Sequence, residues 1–178
     1  MILRRSSGFD AKALYEAIEA QRIQRGLSWR QVADEIWNQS AELNQRRRDH
    51  PISVPTLTGI VRRGDCTCQH ALFVLRWLER TPESFLSPSP NDTSDMALPS
   101  AGPDERLRWN LPALYDALNA RRVERQLTWQ ELARLLRCTA NQLMGIRKAR
   151  FAIRMTLAMR IVQWLEQPAA RFIDAAAW

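Results

Sequence analysis

Between Thr139 and Arg150 the chain sets out a run of side chains suited to reading a polyanion. Thr139, Asn141, Gln142 and Met144 come first, and Arg147, Lys148 and Arg150 follow. The amides of Asn141 and Gln142 both donate and accept, which matches the N6 and N7 edge of adenine in a major groove. The cations behind them suit phosphate, which positions a protein on a duplex without specifying sequence. Leu143 and Ile146 interrupt the run at helical spacing, so the polar members share the outer faces of a short helix. An earlier stretch offers a plainer version, with Thr56 and Thr58 as base-reading candidates and Arg62 and Arg63 as phosphate candidates. The basic run Arg46-Arg47-Arg48 precedes it. That run reads either as a solvated loop or as extra phosphate contacts beside the groove, each of which steepens salt dependence.

Other chemistries fit poorly. The chain has two histidines, no glycine-rich phosphate loop and no nucleophile and base that the sequence places together, so an enzyme is not expected. Cys66, Cys68 and His70 alternate too tightly for a tetrahedral zinc site, and only the distant His50 could add a fourth ligand. No metal or other cofactor is expected. Three cysteines cannot all pair, which suits a reducing cytoplasm. The opening MILRRSSGFD lacks the apolar core of a secretory signal, and no run is apolar enough to span a membrane. The expected location is therefore cytoplasmic and, with DNA as partner, nucleoid-associated. A net charge of +7 and a pI near 10.3 point to a polyanion partner. The charge is uneven, at +3 over residues 1–86 and +6 over residues 104–178. Its bearers are almost all arginine, whose planar fork matches phosphate and guanine.

The elements that must position these groups are helical. Thr128 and Glu131 form a capping box ahead of Leu132, Leu135 and Leu136, which give one apolar face. The register breaks at Arg137-Cys138, and Thr139 caps the next helix. The chain then repeats itself. Leu14-Tyr15, Arg22, Arg25, Leu27 and Trp29 return as Leu114-Tyr115, Arg122, Arg125, Leu127 and Trp129. After a length difference, Leu57-Thr58-Gly59-Ile60 matches Leu143-Met144-Gly145-Ile146, and Trp77-Leu78-Glu79 matches Trp164-Leu165-Glu166. In the first half Asp10, Ser28 and Thr67 are the expected N-caps, and Gly26 ends the first helix in the left-handed conformation that glycine adopts freely. Trp37 to Leu43 stays helix-compatible, so the second helix is expected to run on and be followed by a long loop. Gly59 within the third helix implies either helix packing or close approach to DNA. Residues 87–108, rich in proline and serine, read as an irregular linker.

These two copies resemble the lambda-repressor/Cro-like (XRE-type) helix-turn-helix family. The likeness covers residues 9–86 and 109–173. It departs at Arg137, where the family usually has glycine, and at the insertion between the second and third helices of the first copy. The resemblance implies an all-α fold of two tandem five-helix domains, 9–86 and 109–173, joined by the linker 87–108. It also implies sequence-specific binding of double-stranded DNA through the third helix of each, as in bacterial and phage transcriptional regulators. The alternative it carries is an adaptor or antitoxin-like factor whose modules bind a protein partner. Homodimerisation stays open.

Overall fold

The computed structural model describes residues 8–87, 96–149 and 152–177. The chain is mainly α-helical. In the first half strand β1 (Gly8–Phe9) leads into α1 (Ala11–Gln24), α2 (Trp29–Asn38), α3 (Ala41–Arg46), α4 (Val54–Arg63) and α5 (Cys68–Leu78). A 3₁₀ turn (Pro82–Phe85) and β2 (Leu86–Ser87) close it. The second half runs β3 (Arg106–Trp109), α6 (Leu111–Glu124), α7 (Trp129–Leu136) and α8 (Ala140–Gly145). A 3₁₀ turn (Ile146–Lys148), α9 (Met155–Leu165), a second 3₁₀ turn (Ala169–Phe172) and β4 (Ile173–Ala176) complete it.

The sequence repeat is also a repeat of contacts. Tyr15 stacks on Trp29 and Tyr115 on Trp129, each with ring centroids 5.6 Å apart. Arg22 and Arg122 lie over those indoles and donate to the carbonyls of Leu27 and Leu127. The tryptophans are thus half-buried between an aromatic ring and a guanidinium, rather than deep in the core. Asp10 and Asn110 accept from the amides three residues on, and the capping boxes Ser28/Gln31 and Thr128/Glu131 both form. Gly26 takes φ +65, and Gln126 takes the same role at φ 55 without glycine's freedom. Beneath these, Leu14, Ile18, Val32, Leu57 and Leu72 fill the first half as Leu114, Leu118, Leu132, Leu143 and Met159 fill the second. Each such side chain contributes roughly 1.5–3 kcal/mol by leaving water.

Three expectations change. First, the fold is not purely helical. Each half is tied off by a two-stranded antiparallel pair, Phe9 opposite Leu86 and Trp109 opposite Ile173. Asp10 N–H donates to Phe85 O (2.7 Å) and Asn110 N–H to Phe172 O (2.8 Å). Strands of two to four residues are too short to show a periodicity in the sequence. Second, α2 does not run on to Leu43. It stops at Asn38, and α3 starts separately after Ser40. The Asn44 side chain donates to Trp37 O and that of Gln39 to Ile36 O, so side chains satisfy carbonyls that a continuous helix would bond internally. Third, Leu135 is not part of an apolar face. It is 48% exposed, in the place held by Glu35 in the first copy.

The expected linker is also structured over its described C-terminal part. Pro103 O accepts from the amides of Glu42 and Leu43. Arg76 on α5 donates to Ser40 Oγ and to the carbonyls of Gln39, Ala101, Gly102 and Glu105, at 2.6–3.1 Å. Arg106 then enters the first half, 3% exposed. It donates to Asp49 Oδ2 (2.6 Å) and Asn44 Oδ1 (2.5 Å), with its guanidinium 4.7 Å from the Trp37 ring centroid and 5.6 Å from that of Phe73. The insertion in the first copy therefore forms the seat on which the start of the second copy is held.

The two halves meet about a pseudo-two-fold axis. Counting back from Trp77 and Trp164, Cys66, Thr67 and Cys68 correspond to Ile153, Arg154 and Met155. Thr67 lies antiparallel to Arg154. Cys68 N–H donates to Ile153 O (2.8 Å), and Met155 N–H donates to Cys66 O (2.9 Å). Equivalent atoms thus exchange equivalent bonds, the signature of a self-complementary interface. The strands follow the same rule, with β3 against α5 and β1 against α9. Glu83 Oε1 adds a bond from Ala169 N–H at 2.7 Å.

Two buried polar atoms have no partner among the described residues, Arg106 Nε and the indole nitrogen of Trp109. The indole N–H of Trp109 is buried and has no acceptor among the described residues. An unsatisfied buried donor costs about 1–3 kcal/mol. Phe9 stands at the equivalent place. Trp109→Phe is therefore expected to leave stability unchanged or raise it by up to about 1 kcal/mol, the gain being reduced by the volume lost. Thermal melting checks this, with a shift of roughly 0–4 °C upward expected.

Candidate nucleic-acid interface

The turn between α7 and α8 sets the geometry of the second-half candidate. Arg137 takes φ 54, ψ 51, the left-handed conformation that favours glycine. Its amide bonds to Arg134 O and that of Cys138 to Ala133 O, closing the end of α7. Arg160 on α9 reaches the carbonyls of Leu136 and Arg137, at 3.3 and 3.4 Å. Leu143 and Ile146 anchor α8 and the 3₁₀ turn to the core, 0% and 1% exposed.

On the outer side of α8 the candidates are not equivalent. Thr139 Oγ accepts from Gln142 N–H, while Gln142 Oε1 accepts from the Thr139 amide (2.9 Å) and hydroxyl (3.2 Å). That capping box was not anticipated. It occupies the acceptor of Gln142 and the hydroxyl of Thr139, so neither is prepared for a two-bond contact to a base. Asn141 is exposed, and its side-chain amide makes no hydrogen bond to any described residue. Met144 is 44% exposed beside it. Arg147 and Lys148 are exposed at the far end. Arg147 approaches Asp116 at 3.7 Å, with both side chains more than half exposed, a pairing worth little in water. Arg150 lies outside the described residues.

In the first half α4 is more self-contained. Its N-cap is Ser53, whose hydroxyl bonds to that of Thr56 at 2.8 Å. Thr58 Oγ donates back to Val54 O. Both threonines expected to read bases are therefore engaged with their own helix. Arg63 folds over Gly59 and donates to Thr56 O (2.7 Å). A Cβ at Gly59 would sit 2.8 Å from the centre of that guanidinium, so the glycine makes room for Arg63. Arg62 is exposed with no ion pair among the described residues.

The arginine run separates in the same way. Arg47 pairs with Asp49 (2.7 Å) and Arg46 leans on Glu42 O (3.4 Å), whereas Arg48 is exposed and unpaired among the described residues. Arg47 and Arg106 together hold the Asp49 carboxyl below its ordinary value, Arg47 contributing most. The groups missed in the sequence are Arg106, Arg76 and Ser40. Nothing local marks them, because their partners lie 25 to 65 positions away.

All three thiols are held in the protonated form by burial. Burial pushes Cys66 up to about 12 and Cys138 up to about 11, and Cys68 rises well above its usual value for the same reason. Among the described residues no cluster of His, Cys, Asp or Glu could hold a metal ion. No helix among them is long and apolar enough to cross a membrane. No protein-family model, curated protein or solved structure matches the chain.

Proposed function

We propose that this chain binds double-stranded DNA sequence-specifically, as a transcriptional regulator built from two helix-turn-helix modules of the lambda-repressor/Cro-like kind. The observation that carries the reading is the pseudo-two-fold axis at Thr67 and Arg154. It relates α4 to α8, so that one chain offers a duplex two related surfaces. An isologous pair of this sort suits a site with two related halves. The +7 charge and the exposed Arg48, Arg62, Arg147 and Lys148 supply the phosphate contacts.

The test is selection of bound fragments from genomic DNA, followed by footprinting. Two protected elements about one helical turn, or about 34 Å, apart are expected. Their spacing should be fixed, because the halves are bonded to each other and not hung on a loose tether. A single short protected element means that only one half reads.

Within the second half Asn141 is assigned the base contact. Asn141→Ala is expected to cost roughly 1–3 kcal/mol on the selected site and to relax preference at one or two base pairs. Gln142→Ala should act differently, lowering helix stability by about 1 kcal/mol through loss of the capping box. A selected sequence that survives Asn141→Ala unchanged removes α8 from the reading role.

A protein-binding adaptor is the second reading. Its support is the exposure of Val123, Leu135 and Met144 in the second half. Binding to a protein with no dependence on salt favours it.

A further inference from the structure

Where the halves meet, a cavity of about 730 Å³ opens between the start of α5, the start of α6 and the segment around Ile153. That size is within the roughly 300–1,000 Å³ of small-molecule sites. Its accessible wall is mostly apolar, built by Leu111, Pro112, Ala152 and Ile153.

The polar groups around it are largely spoken for. Gln69 donates to Leu107 O and accepts from Arg108. The Asp174 carboxylate accepts from Asn110 at 2.9 Å. The lining carries three cations, Arg108, Arg147 and Lys148, against the single carboxylate of Asp174, so its balance is positive. Lys148 has no partner among the described residues, and Arg147 has only the 3.7 Å approach to Asp116. Trp109 also lines the cavity, with its buried indole N–H lacking an acceptor.

The cavity is not a requirement of the fold. Ala11-Lys12 stands at the equivalent of Leu111-Pro112, and Val61-Arg62 at the equivalent of Arg147-Lys148. The second copy therefore has an apolar wall where the first has Ala11 and the cation Lys12, and it carries adjacent cations where the first has Val61 and Arg62.

We propose that this cavity binds a small aromatic monoanion. The ring lies against Leu111, Pro112 and Ile153, and the carboxylate or sulfonate meets Arg147 and Lys148. Charge complementarity selects the anion, and the apolar wall selects the ring. A regulatory consequence rests on the DNA reading above. The same two cations are assigned to phosphate, so an anion seated on them competes with the duplex.

The test uses the full chain and 1-anilinonaphthalene-8-sulfonate, with N-phenyl-1-naphthylamine as its uncharged counterpart. The sulfonate is expected to give a saturable fluorescence rise at one site per chain, and the amine to bind about tenfold more weakly. Ala152→Trp and Pro112→Phe, both at exposed positions, should each fill the cavity and weaken the sulfonate about tenfold while melting as wild type. Lys148→Glu should weaken it about fivefold. Sulfonate binding indifferent to both cavity-filling variants overturns the site. Equal binding of the amine overturns the anion requirement. The titration contains no DNA, so a chain that fails to bind any duplex defeats the functional reading and leaves this one standing. If the selected duplex is bound, a saturating sulfonate should lower its affinity on the order of tenfold. An unchanged affinity overturns the regulatory consequence alone.

Discussion

Arg106→Ala is expected to lower the stability of the folded chain by about 3 kcal/mol. The side chain is 4% exposed and lies over the rings of Trp37 and Phe73 while bonding to Asp49 and Asn44. Removing one member of a buried ion pair costs about 3–5 kcal/mol when the survivor stays buried. Here Asp49 is about a third exposed and keeps Arg47, which places the effect at the lower end. Arg106→Met should cost less, since it retains most of the volume between the rings. The latch is also acid-sensitive. The folded Asp49 carboxyl lies below the unfolded value near 3.9. Its contribution is therefore full above about pH 4 and is lost as pH falls through the folded value. Asp49→Asn should flatten that part of the acid limb. Denaturant unfolding from pH 7 to pH 2 checks the sign, and a steeper acid limb in Asp49→Asn contradicts it.

Affinity for the selected duplex is expected to fall by about two to three orders of magnitude between 50 and 200 mM salt. Each neutralised phosphate contributes about 0.9 to the logarithmic slope, and about four to six contacts give that range. Lys148→Ala should reduce the slope by about one while weakening all sequences alike. Arg63→Ala should leave the slope nearly unchanged, because that guanidinium is already turned onto Thr56 O. Fluorescence anisotropy over a salt series measures both. A flat response sets the duplex reading aside.

What could be read in the sequence was local. Thr128, Ser28, Asp10 and Thr67 cap helices as their types and spacing dictate. The burial of Leu143 and Ile146 followed from helical spacing. Leu135 defeated the same logic, because one leucine in a helical stripe can face solvent when its neighbours already fill the core. The capping box at Thr139 and Gln142 had its signature in the residue types, but the same two residues also suited base contacts, and composition does not choose between them. The latch could not be seen at all. Arg106 fell within the expected linker, and the Arg46-Arg47-Arg48 run read either as a solvated loop or as phosphate contacts. Only the folded chain brings Arg106 to Asp49 and gives Arg47 a partner.

The exchange of bonds between Cys66–Cys68 and Ile153–Met155 is what a dimer makes across its axis, yet here both sides belong to one polypeptide. Pairing of the halves therefore obeys no mass action. A homodimer present in a few copies is partly apart, whereas a tether holds its ends at an effective concentration that dilution does not alter. A symmetric dimer also cannot change one face alone, since each altered residue is written on both sides of the axis. This chain writes each face once. Leu111-Pro112 beside Ala11-Lys12, and Leu135 beside Glu35, are differences that a symmetric homodimer could not hold.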